Sequence, residues 1–300
     1  MSKKRNTLPD SKPKDNRKSF QVSEPIELME FLKLCFPDKS RTAVKSYLTH
    51  RQVYVNNQII TQYNHRLKPS DVVLISETKI PTSKEFVGLT ILYEDDYLIV
   101  IDKASGLLSI ATATEKDNTA YSQLRNYVKN VNERNKLFIL HRLDKDTSGV
   151  MMFAKSAEIQ EEMQKNWQRY VTKRTYLAVL EGAVEKDSGS VSSWVFEDQA
   201  HKMESTDEQK GRQAVTHFKV VKRKENFTLV EFELDTGRKN QIRVHAQSMG
   251  HPICGDRKYG GKPSPFGRLG LHANILEFTH PIFQTTMQFR SPMPFRMFRR

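Results

Sequence analysis

The chain carries only two cysteines in 300 residues, Cys35 and Cys254, far apart in sequence and in no metal-ligand spacing. That scarcity excludes a disulfide framework. Small core residues in a reducing compartment are expected instead. Nine histidines form no cluster of the H-E-x-x-H kind, so a zinc enzyme is not expected. Long apolar runs are missing too. The clearest ones, such as Tyr97 to Ile101, are strand-sized rather than membrane-spanning. The first residues lack the apolar centre of a signal peptide, and a cytoplasmic location is the expectation. The last shortage is acidic charge: 35 Asp and Glu stand against 48 Lys and Arg, for a net charge of +13. A surplus of that size fits a polyanionic partner. No strongly basic amphipathic helix turns it toward a membrane.

What remains is enough for a folded protein. Hydrophobic residues make up 37% of the chain, and the length suits one large domain plus a small one. Residues 1–20 hold seven Lys or Arg against two Asp. With almost nothing apolar to repay ordering, they read as a disordered tail, either merely solvated or a sequence-blind tether for phosphates.

Residues 21–77 read as a compact α/β unit. Ser23 could cap a helix carrying Leu28, Phe31, Leu32 and Cys35 at helical spacing. Ser40 could cap a second, with Val44, Tyr47 and Leu48 inside and Arg41 and Lys45 sharing the outer face. Val53 to Val55, Ile59-Ile60 and Val72 to Ile75 read as strands. Residues 78–89 are polar and read as a linker. From residue 90 to 300 the pattern is a large domain of hairpins and helices. Thr216, Phe218 and Val220 alternate against Val230, Phe232 and Leu234. Ser156 could cap a helix whose Ile159, Met163, Trp167 and Tyr170 fit core packing. Residues 197–213 read as a long exposed loop.

The stretch with the most chemistry is His141-Arg142-Leu143-Asp144-Lys145-Asp146-Thr147-Ser148-Gly149, followed by the apolar Val150 to Ala154. It reads as a polar loop feeding a buried strand, which holds side chains firmly while letting them reach a cleft. HRLDKDTSG resembles the signature loop of the RluA-type pseudouridine synthases, which isomerise uridine in RNA. The block Thr236-Gly237-Arg238 to Gln241-Ile242-Arg243-Val244-His245 resembles a second family motif, with Asn240 where the family usually has histidine. Gly255-Asp256, Tyr259-Gly260 and Leu271-His272-Ala273 resemble later ones. "PDKSRTAVKSYL" and "RQVYVNN" resemble the S4 RNA-binding module, with Arg51 and Asn57 replacing two glycines usual there. The resemblance spans roughly residues 24–295.

The hairpins point to an α+β protein with a mixed, mainly antiparallel sheet and flanking helices; the resemblance implies a central cleft in it and the small S4-like α/β module before it. It implies Asp144 as the catalytic carboxylate, Arg243 as the guanidinium that keeps it ionised, and Tyr176 as the ring stacked on the target uracil. A carboxyl buried without such a partner would protonate. The implied reaction needs no redox step, metal or other cofactor. Asp144 could attack sugar or base, or remove a sugar proton. His141 and Asp146 read as shaping the loop. Arg142 is the candidate to hold distorted RNA once the base has left its stack. Arg238 and Lys145 are candidates for phosphates, and Arg41, Lys45 and Arg51 for RNA contacts of the small module. Large-subunit ribosomal RNA is the first expected substrate and transfer RNA the second. A monomer without an obligate protein partner is expected. The rival readings are a catalytically inactive S4-type RNA-binding protein of ribosome assembly and a glycosidase. A glycosidase would want a second carboxylate, for which only Asp146 is near in sequence.

Overall fold

The structure is a computed structural model that describes residues 17–50, 52–56, 58–76, 86–200, 202–206, 208 and 211–298. Its elements in chain order begin with β1 (Lys18–Gln21), β2 (Ile26–Glu27), α1 (Leu28–Cys35), α2 (Arg41–Thr49), β3 (Val53–Val55), β4 (Gln58–Ile59), β5 (Arg66–Leu67) and β6 (Val72–Ile75). Strands β1, β6, β3 and β4 form a four-stranded sheet in that order, and β2 pairs with β5. Leu28, Leu32, Val44, Leu48, Val53 and Val73 bury themselves in one cluster between helices and sheet. The Ser40 hydroxyl caps α2, accepting from the Ala43 N–H at 3.2 Å.

Two expectations for this unit change. Lys18–Gln21 is a strand inside the stretch read as tail. Phe20 pairs with Val73, and its ring meets Phe36 at 5.5 Å, so that part of the chain has apolar surface to bury. The first helix starts at Leu28, later than Ser23. Ile26–Glu27 is drawn into the pair with β5 instead, and the Leu28 N–H donates to the His65 carbonyl. The residues 78–85 read as linker lie outside the described residues.

The large unit continues with β7 (Leu89–Glu94), β8 (Leu98–Lys103), α3 (Ala120–Val131), β9 (Phe138–Ile139), β10 (Ser148–Ala154), α4 (Ala157–Lys165), α5 (Trp167–Tyr170), β11 (Val171–Glu181), β12 (Ser188–Glu197), β13 (Met203–Thr206), β14 (Arg212–Lys224), β15 (Phe227–Leu234), α6 (Gln241–Ser248), β16 (Leu271–Thr279) and β17 (Thr286–Arg290). One twisted sheet runs β13-β12-β14-β15-β11-β16-β10-β8-β7, with β17 added to β16 and β9 to β10. It is mixed and mainly antiparallel, as the α+β expectation required. The parallel pair, β10 with β16, lies inside the sheet, between β11 and β8. The β14–β15 hairpin matches Thr216 with Leu234 and Phe218 with Phe232, the pairing that the alternation implies. Part of the expected loop 197–213 is strand: Met203–Thr206 pairs with β12, and Met203 is buried with Tyr259 beneath α6.

The small unit touches the large one through a tyrosine. The Tyr54 hydroxyl donates to the Glu94 carbonyl at 3.0 Å, and its ring lies edge-on to Tyr93 at 5.7 Å. Both rings are fully buried.

Where β10 begins, only glycine fits. Gly149 sits at φ +116°, and a Cβ there would lie 2.0 Å from the Ala273 carbonyl oxygen. Gly149 pairs with Ala273 on one side, and Ala273 pairs with Tyr176 on the other. Two strand spacings, roughly 10 Å, therefore separate the end of the polar loop from Tyr176.

Candidate active site

The loop that carries Asp144 is pinned from below. The Lys103 ammonium, fully buried at the end of β8, donates to the carbonyls of Lys145 at 3.0 Å, Leu107 at 2.7 Å and Ala104 at 3.0 Å. Burial lowers its pKa to about 8, and the charges of Asp146 and Asp144 partly offset the drop. The Ser109 hydroxyl donates to the Leu143 carbonyl at 2.6 Å, and Ser105 does the same for Asp146 at 2.7 Å. His141 accepts the Met152 N–H at its Nε2, 3.1 Å away. Burial, with the Arg174 charge beside it, drives that imidazole down to about 3. A neutral ring is what accepting an N–H demands. The loop is thus fixed on both sides of Asp144 by groups far away in sequence.

Helix α6 brings the partner. Gln241 anchors it, donating to the Val215 carbonyl and the Thr216 hydroxyl, both at 2.9 Å. One turn on, His245 reaches the same hydroxyl at 2.8 Å and Ser193 at 3.0 Å. Arg243 lies between them in sequence and points the other way. Its Nε and Nη2 donate to the two oxygens of Asp256 at 2.6 and 2.7 Å, a bidentate fork. The Tyr259 ring lies 4.9 Å from the same guanidinium. That leaves Nη1, which donates to Asp144 Oδ2 at 3.2 Å. Burial opposes the charge on Arg243, but the hydrogen bonds and charge of Asp256, with Asp144 added, outweigh it and hold the pKa above its usual range. Arginine's fork can bind one carboxylate firmly and present a third nitrogen to another, which a lysine cannot do.

A cavity of about 70 Å³ is lined by Asp144, Tyr176, Asn240 and Arg243, with Leu143 and Leu271 among its apolar walls. Burial raises the Tyr176 phenol's pKa; Arg174 opposes this and the Asp144 charge adds to it. Beside it lies a cavity of about 490 Å³ that shares Arg142, Tyr176, Leu234 and Arg238 and is also lined by Trp167 and Arg174. Asp144, Tyr176 and Arg243 therefore surround one cavity, and Arg142 and Arg238 stand at its border with the larger one. Lys145 is exposed on the same loop and lines neither cavity. Arg41 and Lys45 are exposed together on the outer face of α2. Arg51 lies outside the described residues.

The sequence reading missed four residues here. Asp256 and Tyr259 are visible in the sequence only as motif letters; the burial that pairs Asp256 with Arg243 is not. Asn240 donates through Nδ2 to Asp144 at 2.5 Å, where an absent histidine had drawn the attention. Trp167 was read as core. Helix α4 stops at Lys165, Asn166 turns the chain with its amide on Glu162, and the indole packs against the core with Ile159, Met163 and Tyr170 while also lining the large cavity.

Around one cavity the fold thus gathers an acid paired with a guanidinium and a tyrosine, with two further arginines at its border, a pocket suited to a polyanionic substrate. The profile of the RNA pseudouridylate synthase family matches residues 97–248, and that of the S4 domain residues 28–73. The uncharacterised RNA pseudouridine synthase YhcT of Bacillus subtilis is 34% identical over 260 residues, which is 85% of this chain and 86% of that protein. The ribosomal large subunit pseudouridine synthase D of Pasteurella multocida is 30% identical over 276 residues, 86% of this chain and 85% of that one. Among solved structures, human RNA pseudouridylate synthase domain containing 4 superimposes with a TM-score of 0.57 at 25% identity, over 69% of this chain and 89% of that one. The chain belongs to the RNA pseudouridylate synthase family and carries an S4 domain before the catalytic sheet. It is an isomerase acting on uridine in RNA.

Proposed function

We propose that this enzyme converts specific uridines of large-subunit ribosomal RNA to pseudouridine, with Asp144 as the catalytic carboxylate. Asp144 begins the reaction as a carboxylate held in place by the Arg243 guanidinium. The C1′–N1 bond breaks, the uracil turns, and C5 bonds to C1′; the C5 proton leaves and N1 gains one. Tyr176, which lines the same cavity, covers the base through these steps and takes the C5 proton. Arg142, Arg238 and Lys145 hold the RNA from which the base has been extruded. Arg41 and Lys45 hold phosphates at a distance from the reaction. The ribosomal substrate is inferred from the relatives named for it; transfer RNA is the second candidate.

The observation that carries this reading is the ion pair between Asp144 and Arg243, whose guanidinium is already committed to Asp256. Mapping pseudouridines in RNA from cells lacking the protein, rescued with wild type or Asp144→Asn, tests it. Wild type restores the missing positions and the variant restores none. Restoration by the variant removes the catalytic role of Asp144.

A further inference from the structure

We infer that Asn240 is a positioning residue that holds one oxygen of the Asp144 carboxylate, leaving Oδ1 as the oxygen presented to the substrate. The inference rests on the role proposed for Asp144. Both hydrogen bonds to this carboxylate end on Oδ2, one from Asn240 Nδ2 and one from Arg243 Nη1. Among the described residues, none donates to Oδ1. A single donor leaves a carboxylate free to swing about its last bond. Two donors from different directions on one oxygen fix that bond and draw charge toward Oδ2.

The orientation of the Asn240 amide follows from its neighbours. An ionised carboxylate can only accept, so the NH₂ faces Asp144. The amide oxygen then faces Tyr259, whose hydroxyl donates to it at 3.2 Å. The Tyr259 oxygen in turn accepts the Met203 N–H at 3.2 Å. The chain Met203, Tyr259, Asn240, Asp144 runs one way, each group donating to the next. Its far end is a backbone N–H of β13, which cannot rotate. Burial raises the Tyr259 phenol to about 12, so the hydroxyl keeps the proton it must donate.

The backbone supports the same role. Asn240 sits at φ 54° and ψ 18°, in the left-handed region, at the N-cap of α6. Asparagine there ordinarily bonds an N–H of the first helical turn, and losing such a cap costs about 1 kcal/mol. Here the side chain makes no cap bond; it is turned to Asp144 instead. A residue well suited to capping, held in an uncommon conformation and used for something else, marks a constraint from the site. Asparagine and glycine tolerate that conformation best.

The test separates backbone from hydrogen bond, using a transcript of large-subunit ribosomal RNA that carries the uridine left unmodified in cells lacking the protein. Asn240→Gly keeps the left-handed backbone and removes the donor. It should lower kcat by about 10- to 100-fold, the usual worth of one hydrogen bond to a charged group, while KM stays within about twofold. Asn240→Asp fits the same space and backbone but sets a second carboxylate against the first. It should lower kcat further and move the acid limb of the kcat–pH profile upward, because a neighbouring negative charge opposes ionisation of Asp144. A residue serving only to support the fold would change thermal stability or KM and leave that limb in place. Wild-type kcat in Asn240→Gly, or an unmoved acid limb in Asn240→Asp, overturns the inference. Asp144→Asn in the same assay keeps the two proposals apart. If it is active, the role of Asp144 fails and this one falls with it. If it is inactive while both Asn240 variants behave as wild type, only the role of Asn240 is lost.

Discussion

Two helices of this protein present arginine, and they treat it in opposite ways. On α2, Arg41 stands exposed beside Lys45, and among the described residues neither has a carboxylate partner. On α6, the Arg243 side chain is 15% exposed and meets two carboxylates, one of them, Asp256, fully covered. A guanidinium free on the surface is available to any phosphate, loosely and reversibly. One docked on a buried acid has given up that freedom and holds a neighbouring charge in one place. The sequence shows the same residue type in both helices. What separates a binding charge from a positioning charge is the acid beneath it.

The sharpest break of this contrast is Arg243→Met. Losing the guanidinium strands the Asp256 carboxylate without its partner, which costs about 3–5 kcal/mol, and leaves Asp144 with Asn240 alone. Turnover should fall by at least about 10³-fold and chemical denaturation should come markedly earlier. A variant with near wild-type turnover would mean that the two helices use arginine alike.

An intermediate effect concerns pH, and it belongs to the large unit. Burial holds His245 and His272 down at about 4, against about 6.5 for an unfolded histidine. Between those values the unfolded chain binds more protons at these two sites than the folded one, so their contribution to stability falls as pH drops from about 6.5 toward 4 and is unchanged above; His141, held at about 3, acts in the same direction. Both tryptophans, Trp167 and Trp194, lie in the large unit. Urea unfolding followed by indole fluorescence should therefore show the midpoint falling across that window. A flat midpoint would contradict neutral, buried imidazoles beneath α6 and β16.

The smallest effect belongs to the surface helix. Arg41→Ala with Lys45→Ala should raise KM for RNA several-fold and reduce the salt dependence of binding by roughly 1.4 to 1.8 in slope, the share of two phosphate contacts. Turnover at saturating RNA should stay within about twofold. An unchanged salt slope removes the binding role of that face; a collapse of turnover makes it part of the site.

How much of this could be read beforehand follows from what each feature depends on. The β14–β15 hairpin and the second helix's Ser40 cap are local, and alternation and capping chemistry announce them. Asp144, Tyr176 and Arg243 were found because three motifs resemble one family; no spacing relates residues 144, 176 and 243. That they face one cavity depends on Ala273 standing between Gly149 and Tyr176, a register no local pattern encodes. Asn240 escaped for a different reason. A left-handed backbone that turns a capping side chain away from its own helix has no signature in composition. Trp167 packs on the core as its periodicity implies; its second role, lining the large cavity, depends on the turn at Asn166 where α4 ends. The strand at Met203 was read as loop because its partner, β12, and the Tyr259 beneath it supply the order that its own polar neighbours do not.

The account is tested most directly by giving one RNA to wild type and Asp144→Asn, and measuring bound RNA and pseudouridine formed in the same samples. It predicts equal binding by both proteins and product from wild type alone. Product appearing with the variant at the wild-type rate would contradict it.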